Sequence, residues 1–166
     1  MIPKKLQTYL NKTAVAAEAV VHRTVYTAYD LAQTTGIKLE QIAKTILVKV
    51  EPPYGEKKDK HIIAVLPASH QLDLKKLQGI LKAKKLSIAD ERVMSKLFKI
   101  KAGAITPFSA RHSSTPVFID KTLLKAKKIM ARSGSFTDSL FLKPKDFIKV
   151  SGGSLASFAK KVIGKK

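Results

Sequence analysis

The 166-residue sequence contains no cysteine. That excludes a disulfide scaffold, a zinc ribbon, an iron–sulfur protein and a thiol nucleophile. Acidic side chains are scarce: 12 Asp and Glu stand against 32 Lys and Arg, a net charge of +20. Such a surplus calls for an anionic partner, nucleic acid ahead of a membrane surface, although solvated lysine-rich faces account for part of it. Long apolar runs are missing as well. No stretch approaches the roughly 20 residues needed to span a bilayer. The run from Ala14 to Val21 holds Glu18 and leads into His22-Arg23, which is not the pattern of a secretory signal. The expectation is a cytoplasmic protein with no membrane partner. His22, His61, His70 and His112 lack metal-ligand spacing, so no metal and no cofactor is expected. P-loop, dinucleotide-binding and nucleophile-elbow motifs are absent, and no pair of carboxylates stands out for acid–base work.

What is present is an ordinary globular composition, 45% apolar, enough for one packed domain. Charge accumulates late in the chain, with residues 121–166 carrying 12 basic and 2 acidic side chains. Pro3 suits the first turn of a helix that Leu6, Leu10 and Tyr9 would anchor. Ala14–Val21 reads as a strand and Thr24–Thr35 as a helix ended by Gly36. Ala43–Val50 and His61–Leu66 read as neighbouring antiparallel strands joined through Pro52-Pro53-Tyr54-Gly55. Asp73–Lys84 has helical spacing at Leu74, Leu77, Ile80 and Leu81, and Ala89-Asp90-Glu91 opens a short helix. Val117–Asp120, Ile129–Ala131 and Leu140–Leu142 read as short strands. Strict βαβ alternation is lacking, so the fold class is α+β, with a mixed, partly barrel-like sheet surrounded by helices.

The end of the chain reads differently. Ser151-Gly152-Gly153-Ser154 looks like a joint. Leu155, Phe158, Ala159 and Val162 then fall at i, i+3, i+4 and i+7 among lysines. The expected organisation is a domain over residues 1–150 and a short basic amphipathic helix within 151–166.

Three features carry chemistry. Alternation places Ile42, Lys44, Ile46, Val48 and Val50 on one face of a strand, and Lys44 is the only charge there. Burying an ammonium is costly unless it is paired, lines a cavity or loses its proton; a lysine that reaches out to water is the simpler alternative. Second, Gly103-Ala104-Ile105-Thr106-Pro107-Phe108 permits close approach of backbone to a ligand, or merely tight packing at a sheet corner. Third, Ser133-Gly134-Ser135 can present backbone N–H groups to an oxyanion, although such turns are common.

In order, His22, a helix ending at Gly36, Lys44-Thr45, Val65-Leu66-Pro67, Leu72-Asp73, Ala89-Asp90, Gly103-x-x-x-Pro107-Phe108, Asp120 and Ser133-Gly134 form a set that resembles the YbaK-type aminoacyl-tRNA deacylases. These are free-standing relatives of the editing insertion of bacterial prolyl-tRNA synthetase. The resemblance spans about residues 5–150. It implies a pocket for a small aminoacyl group on the end of a tRNA, and hydrolysis of the ester in a mischarged tRNA of the Cys-tRNA(Pro) or Ala-tRNA(Pro) type. It makes Lys44, Gly103 and Pro107 the catalytic candidates. His22, Tyr26, Thr27, Thr45, Ala104, Ile105, Thr106, Phe108, Ser133, Gly134 and Ser139 become the substrate-binding candidates, with Ser133 and Gly134 near the terminal adenosine. Some family members carry an aromatic residue where this chain has Thr27, and a carboxylate where it has Ser139, which leaves the amino acid open. Partners implied are tRNA and prolyl-tRNA synthetase. A non-catalytic RNA-binding module and a synthetase accessory remain the alternatives, and the oligomeric state is not legible.

Overall fold

The computed structural model describes residues 4–13, 15–90, 92, 93, 96, 106–108 and 115–161. In chain order the named elements are α1 (Lys4–Thr13), β1 (Ala17–Val21), α2 (Ala28–Thr35), β2 (Ala43–Tyr54), β3 (Asp59–Pro67), β4 (His70–Leu72), α3 (Leu74–Leu81), β5 (Lys85–Ile88), β6 (Val117–Asp120), β7 (Ile129–Arg132), β8 (Asp138–Leu142), α4 (Pro144–Ser151), β9 (Ser154–Ala156) and β10 (Ala159–Lys161). The described strands form a five-stranded sheet in the order β5-β2-β3-β6-β9, a three-stranded sheet β1-β8-β7 and a two-stranded ribbon β10-β4. Antiparallel and parallel pairings mix, as expected, β3–β6 and β6–β9 being parallel. The sheets are not closed into a barrel. Among the described residues the five-stranded and three-stranded sheets are joined by a parallel bridge between Ile42 and Met130.

Alternation sorts the side chains into three apolar layers. Leu47, Ile63, Val65 and Ile119 leave one face of the large sheet and meet Ile129, Ala131, Leu140 and Leu142 from the small sheet; Leu6 and Leu10 of α1 and Phe147 of α4 complete this main core. The opposite face of the large sheet presents Val48, Val50, Ile62, Ala64 and Leu66 to Leu77 and Leu81 of α3. The opposite face of the small sheet presents Val20, Met130 and Phe141 to Leu31 and Ala28 of α2. Among the described residues no helix is long and apolar enough to cross a membrane.

Local chemistry places the element ends. α2 begins at Ala28 rather than at Thr24, because Val25 N–H is taken by the Phe136 carbonyl and Thr27 accepts from Asp30 N–H as the N-cap. Gly36 closes the helix at φ +75°, where glycine is unstrained. Asp73 caps α3, which stops at Leu81 because Lys82 turns left-handed. α4 was not foreseen, although Pro144 begins it, Asp146 sits in its first turn, and Phe147 and Val150 are buried.

Over the described residues 154–161 the expected C-terminal helix is not formed. Residues 154–156 add in parallel to β6, and residues 159–161 pair antiparallel with β4; Val162 lies outside the described residues. The helical spacing was coincidental: Leu155 remains 42% exposed while Phe158 is fully buried against Leu66, Leu77 and Phe118. Burial of one such side chain stabilises by about 1.5–3 kcal/mol. The buried Asp120 carboxylate fastens the segment. Its Oδ1 accepts from Phe158 N–H at 2.7 Å and Ala159 N–H at 2.8 Å, and its Oδ2 from the N–H and hydroxyl of Thr122. Asp73 N–H in turn donates to the Phe158 carbonyl at 2.8 Å. Gly153 is part of the fit, since a Cβ there would come within 2.6 Å of Ile119 Cδ1.

Candidate active site

Lys44 and Leu66 are register partners, so their side chains share a face of the large sheet. On that face Lys44 lies between Ile42, which belongs to the layer under α2, and Ile46 and Val48, which belong to the layer under α3. The ammonium therefore sits at the seam of two apolar layers. It is half-buried, and Nζ donates to the His70 carbonyl at 2.7 Å. Burial pushes its pKa below the ordinary lysine value. Among the described residues no carboxylate pairs with it. A strand-end lysine reaching out to bulk water would show none of this.

The small sheet supplies a second group on the side covered by α2. Val20, Ser139 and Arg132 are successive register partners across β1, β8 and β7. His22, just past the end of β1, contacts Ser139 Oγ through Nε2 at 2.9 Å and the Arg23 carbonyl through Nδ1 at 2.8 Å. A carbonyl only accepts, so Nδ1 carries a proton; in the neutral ring Nε2 then accepts from the Ser139 hydroxyl. Ser139 is fully buried. Burial lowers the Arg132 pKa, and the nearby Asp30 partly opposes the shift. Arg132 and Asp30 were missed from sequence. The logic that found Lys44 would have found Arg132, the only charge in the strand Ile129-Met130-Ala131-Arg132.

The remaining candidates divide. Thr27 commits its hydroxyl to the α2 cap at 3.0 Å from Asp30 N. Tyr26 is exposed and lies 5.0 Å, centroid to centroid, from Phe136. Ser133 is buried, and its hydroxyl donates to the Asp138 carbonyl at 3.0 Å. Gly134 turns the chain at φ +103°, a conformation that side chains resist. Thr45 is not brought to Lys44, because alternation turns it to the other face with Ala43 and Leu47. Thr106, Pro107 and Phe108 are buried; Phe108 N–H donates to Thr106 Oγ1 at 3.0 Å. Phe108 packs edge-on against Phe147 at 5.8 Å in the main core, so its ring serves packing rather than offering a face to a ligand. Gly103, Ala104 and Ile105 lie outside the described residues. Among the described residues no three His, Asp or Glu are grouped to hold a metal ion.

The structure thus places two half-buried cations, Lys44 and Arg132, and a histidine–hydroxyl pair on the two sheets joined at the Ile42–Met130 bridge. Desolvated cations and hydroxyl donors are the kinds of group that stabilise a developing negative charge. The chain is 26% identical over 156 residues to the multifunctional Ser/Thr-tRNA deacylase ProXp-y of Escherichia coli (strain K12), covering 93% of this chain and 91% of the relative. It is 24% identical over 144 residues to the prolyl-tRNA editing protein ProX of Acetoanaerobium sticklandii, with 85% of each covered. A crystal structure of a candidate trans-editing enzyme for prolyl tRNA synthetase superposes with a TM-score of 0.80 at 19% identity, covering 95% of this chain and 96% of the other. The aminoacyl-tRNA editing domain family matches residues 22–150, and the chain belongs to that family.

Proposed function

We propose that this chain is a trans-editing deacylase that hydrolyses the ester between a small amino acid and the end of a tRNA. The observation that carries the reading is the Lys44 ammonium, held at the seam of two apolar layers by one carbonyl and left with charge to offer. An aminoacyl ester is already activated, so positioning and charge stabilisation can supply most of the rate. Lys44 holds the ester carbonyl or the terminal phosphate–sugar unit, and backbone N–H groups of the 103–108 loop complete the oxyanion contacts. Water attacks, aided by the vicinal ribose hydroxyl of the substrate. The His22–Ser139 pair and Arg132 line the approach on the α2 side.

Cysteine and alanine on tRNA(Pro) are the leading substrates, with serine of comparable size. The Ser/Thr activity named for the Escherichia coli relative adds threonine to the set to be tried. One methylene is worth only about 1–3 kcal/mol of discrimination. A deacylation assay over a panel of mischarged tRNAs tests the reading. Release of amino acid from at least one member of the panel is expected. Tight binding without release from any of them would leave a non-catalytic RNA-binding module. Activity confined to a co-eluting complex with prolyl-tRNA synthetase would make the chain an accessory of that enzyme.

Lysines along residues 75–101 and 121–149 steer the acceptor stem. Each phosphate neutralised releases counterions, so log affinity for tRNA is expected to fall with log salt at roughly −0.7 to −0.9 per contact. A titration from low to moderate salt checks this, and a flat response removes the steering role.

A further inference from the structure

Three large apolar or aromatic side chains lie exposed within residues 21–29: Val21, Tyr26 at 63% and Tyr29 at 66%. The other exposed large side chains, Ile80, Ile88 and Leu155, are scattered over three further elements. Tyr26 does not stand alone. Its ring packs on Phe136, tilted by 55°, while most of its surface stays open to solvent. The two segments that carry these rings are cross-linked by main chain: His22 N–H donates to the Thr137 carbonyl at 2.9 Å and Val25 N–H to the Phe136 carbonyl at 3.0 Å. The turn bearing Phe136 is braced in its own right. The Ser135 and Thr137 hydroxyls both donate to the Asp138 carboxylate, at 3.3 and 3.1 Å. Arg23, on the same segment, is exposed, and its Nε donates to Thr34 Oγ1 at 2.9 Å.

An exposed aromatic ring packed on a second ring, three residues from an exposed arginine in a chain of net charge +20, has the chemistry of a surface on which unpaired bases stack. A protein-docking patch would instead call for contiguous apolar area, and this one is broken by Arg23, Thr24 and Thr27. His22 belongs to the same cross-linked segment, and its ring contacts Ser139, so a base seated here would lie close to the candidate active site. Resting on the reading that the substrate is an aminoacyl-tRNA, the geometry points to Tyr26, backed by Phe136, as the stacking platform for an unpaired nucleobase at the 3′ end of the tRNA.

The test reads binding rather than hydrolysis. Affinity at fixed salt is measured for uncharged tRNA, intact and made abasic at each unpaired 3′ position in turn, with the wild-type chain, Tyr26→Ala and Tyr26→Phe. The wild type is expected to prefer intact tRNA over at least one abasic form by roughly tenfold or more. Tyr26→Phe keeps that preference, and Tyr26→Ala loses it without a change in thermal melting. A wild type indifferent to every missing base overturns the platform. So does a preference that survives Tyr26→Ala, or a Tyr26→Ala variant that weakens intact and abasic tRNA equally. A chain that shows the base preference yet releases no amino acid keeps the platform and loses the hydrolytic reading; a chain that hydrolyses with no base preference does the opposite.

Discussion

Lys44→Ala is expected to lower deacylation by about a hundredfold or more while leaving thermal stability unchanged or slightly raised. Both halves follow from one placement. The ammonium is half-buried, burial disfavours its charge, and it donates to the His70 carbonyl. A lysine kept for stability would be paired, and removing it would cost free energy. Removing one that is desolvated without a counter-charge among the described residues relieves a cost instead. The price falls on catalysis, where loss of a single well-placed oxyanion donor is worth about 2.7–4 kcal/mol, which matches the rate loss expected here. Lys44→Met preserves the stem that spans from Ile42 to Ile46 and should behave alike in activity. The check is single-turnover release of amino acid beside a thermal melt. Near-normal turnover in either variant takes Lys44 out of the mechanism.

Asp120→Ala is expected to have the largest effect on stability, a loss of about 3–5 kcal/mol in urea denaturation. The carboxylate is 2% exposed and satisfies the N–H groups of Phe158, Ala159 and Thr122 at once. Removing it leaves those amides without their acceptor, at about 1–3 kcal/mol for each that stays buried. Asp120→Asn retains an acceptor and should cost less. The carboxylate also sets the acid limit of the fold. Burial pushes its pKa up, but the hydrogen bonds from Thr122, Phe158 and Ala159 outweigh burial and hold it below the ordinary value of 3.8. A carboxyl whose pKa is lower in the folded chain than in the unfolded one stabilises fully above the unfolded value. That contribution is lost as pH falls below about 3.8 and through the folded pKa. Urea midpoints measured across this window should therefore drop more steeply in the wild type than in Asp120→Ala.

Much of the fold was legible because periodicity reports burial directly. The apolar spacing of Leu74, Leu77 and Leu81 marked α3, and β-branched runs marked β2 and β3. The tail misled for the same reason. Leu155, Phe158 and Ala159 satisfy a helical template, but their backbone groups are claimed by β6 and β4, partners more than thirty residues away that no local pattern encodes. Lys44 was legible as a charge out of place on an apolar face. The His22–Ser139 contact was not, since it joins residues separated by 117 positions. Thr45 was carried along with Lys44 by adjacency, and the two-residue period of a strand sends neighbours to opposite faces.

The edge strand at residues 154–156 also bears on how the chain matures during translation. Sheet order β5-β2-β3-β6-β9 puts the two latest strands of the large sheet at one edge, and both the Phe158 plug and the ribbon partner of β4 follow that sheet in the chain. Synthesis proceeds at about 5–20 residues per second, so a nascent chain spends seconds with the face under α3 only partly roofed. During that interval the rim of β6 and the Phe158 cavity are open to chaperones. Completion becomes possible only when residue 161 has left the ribosome.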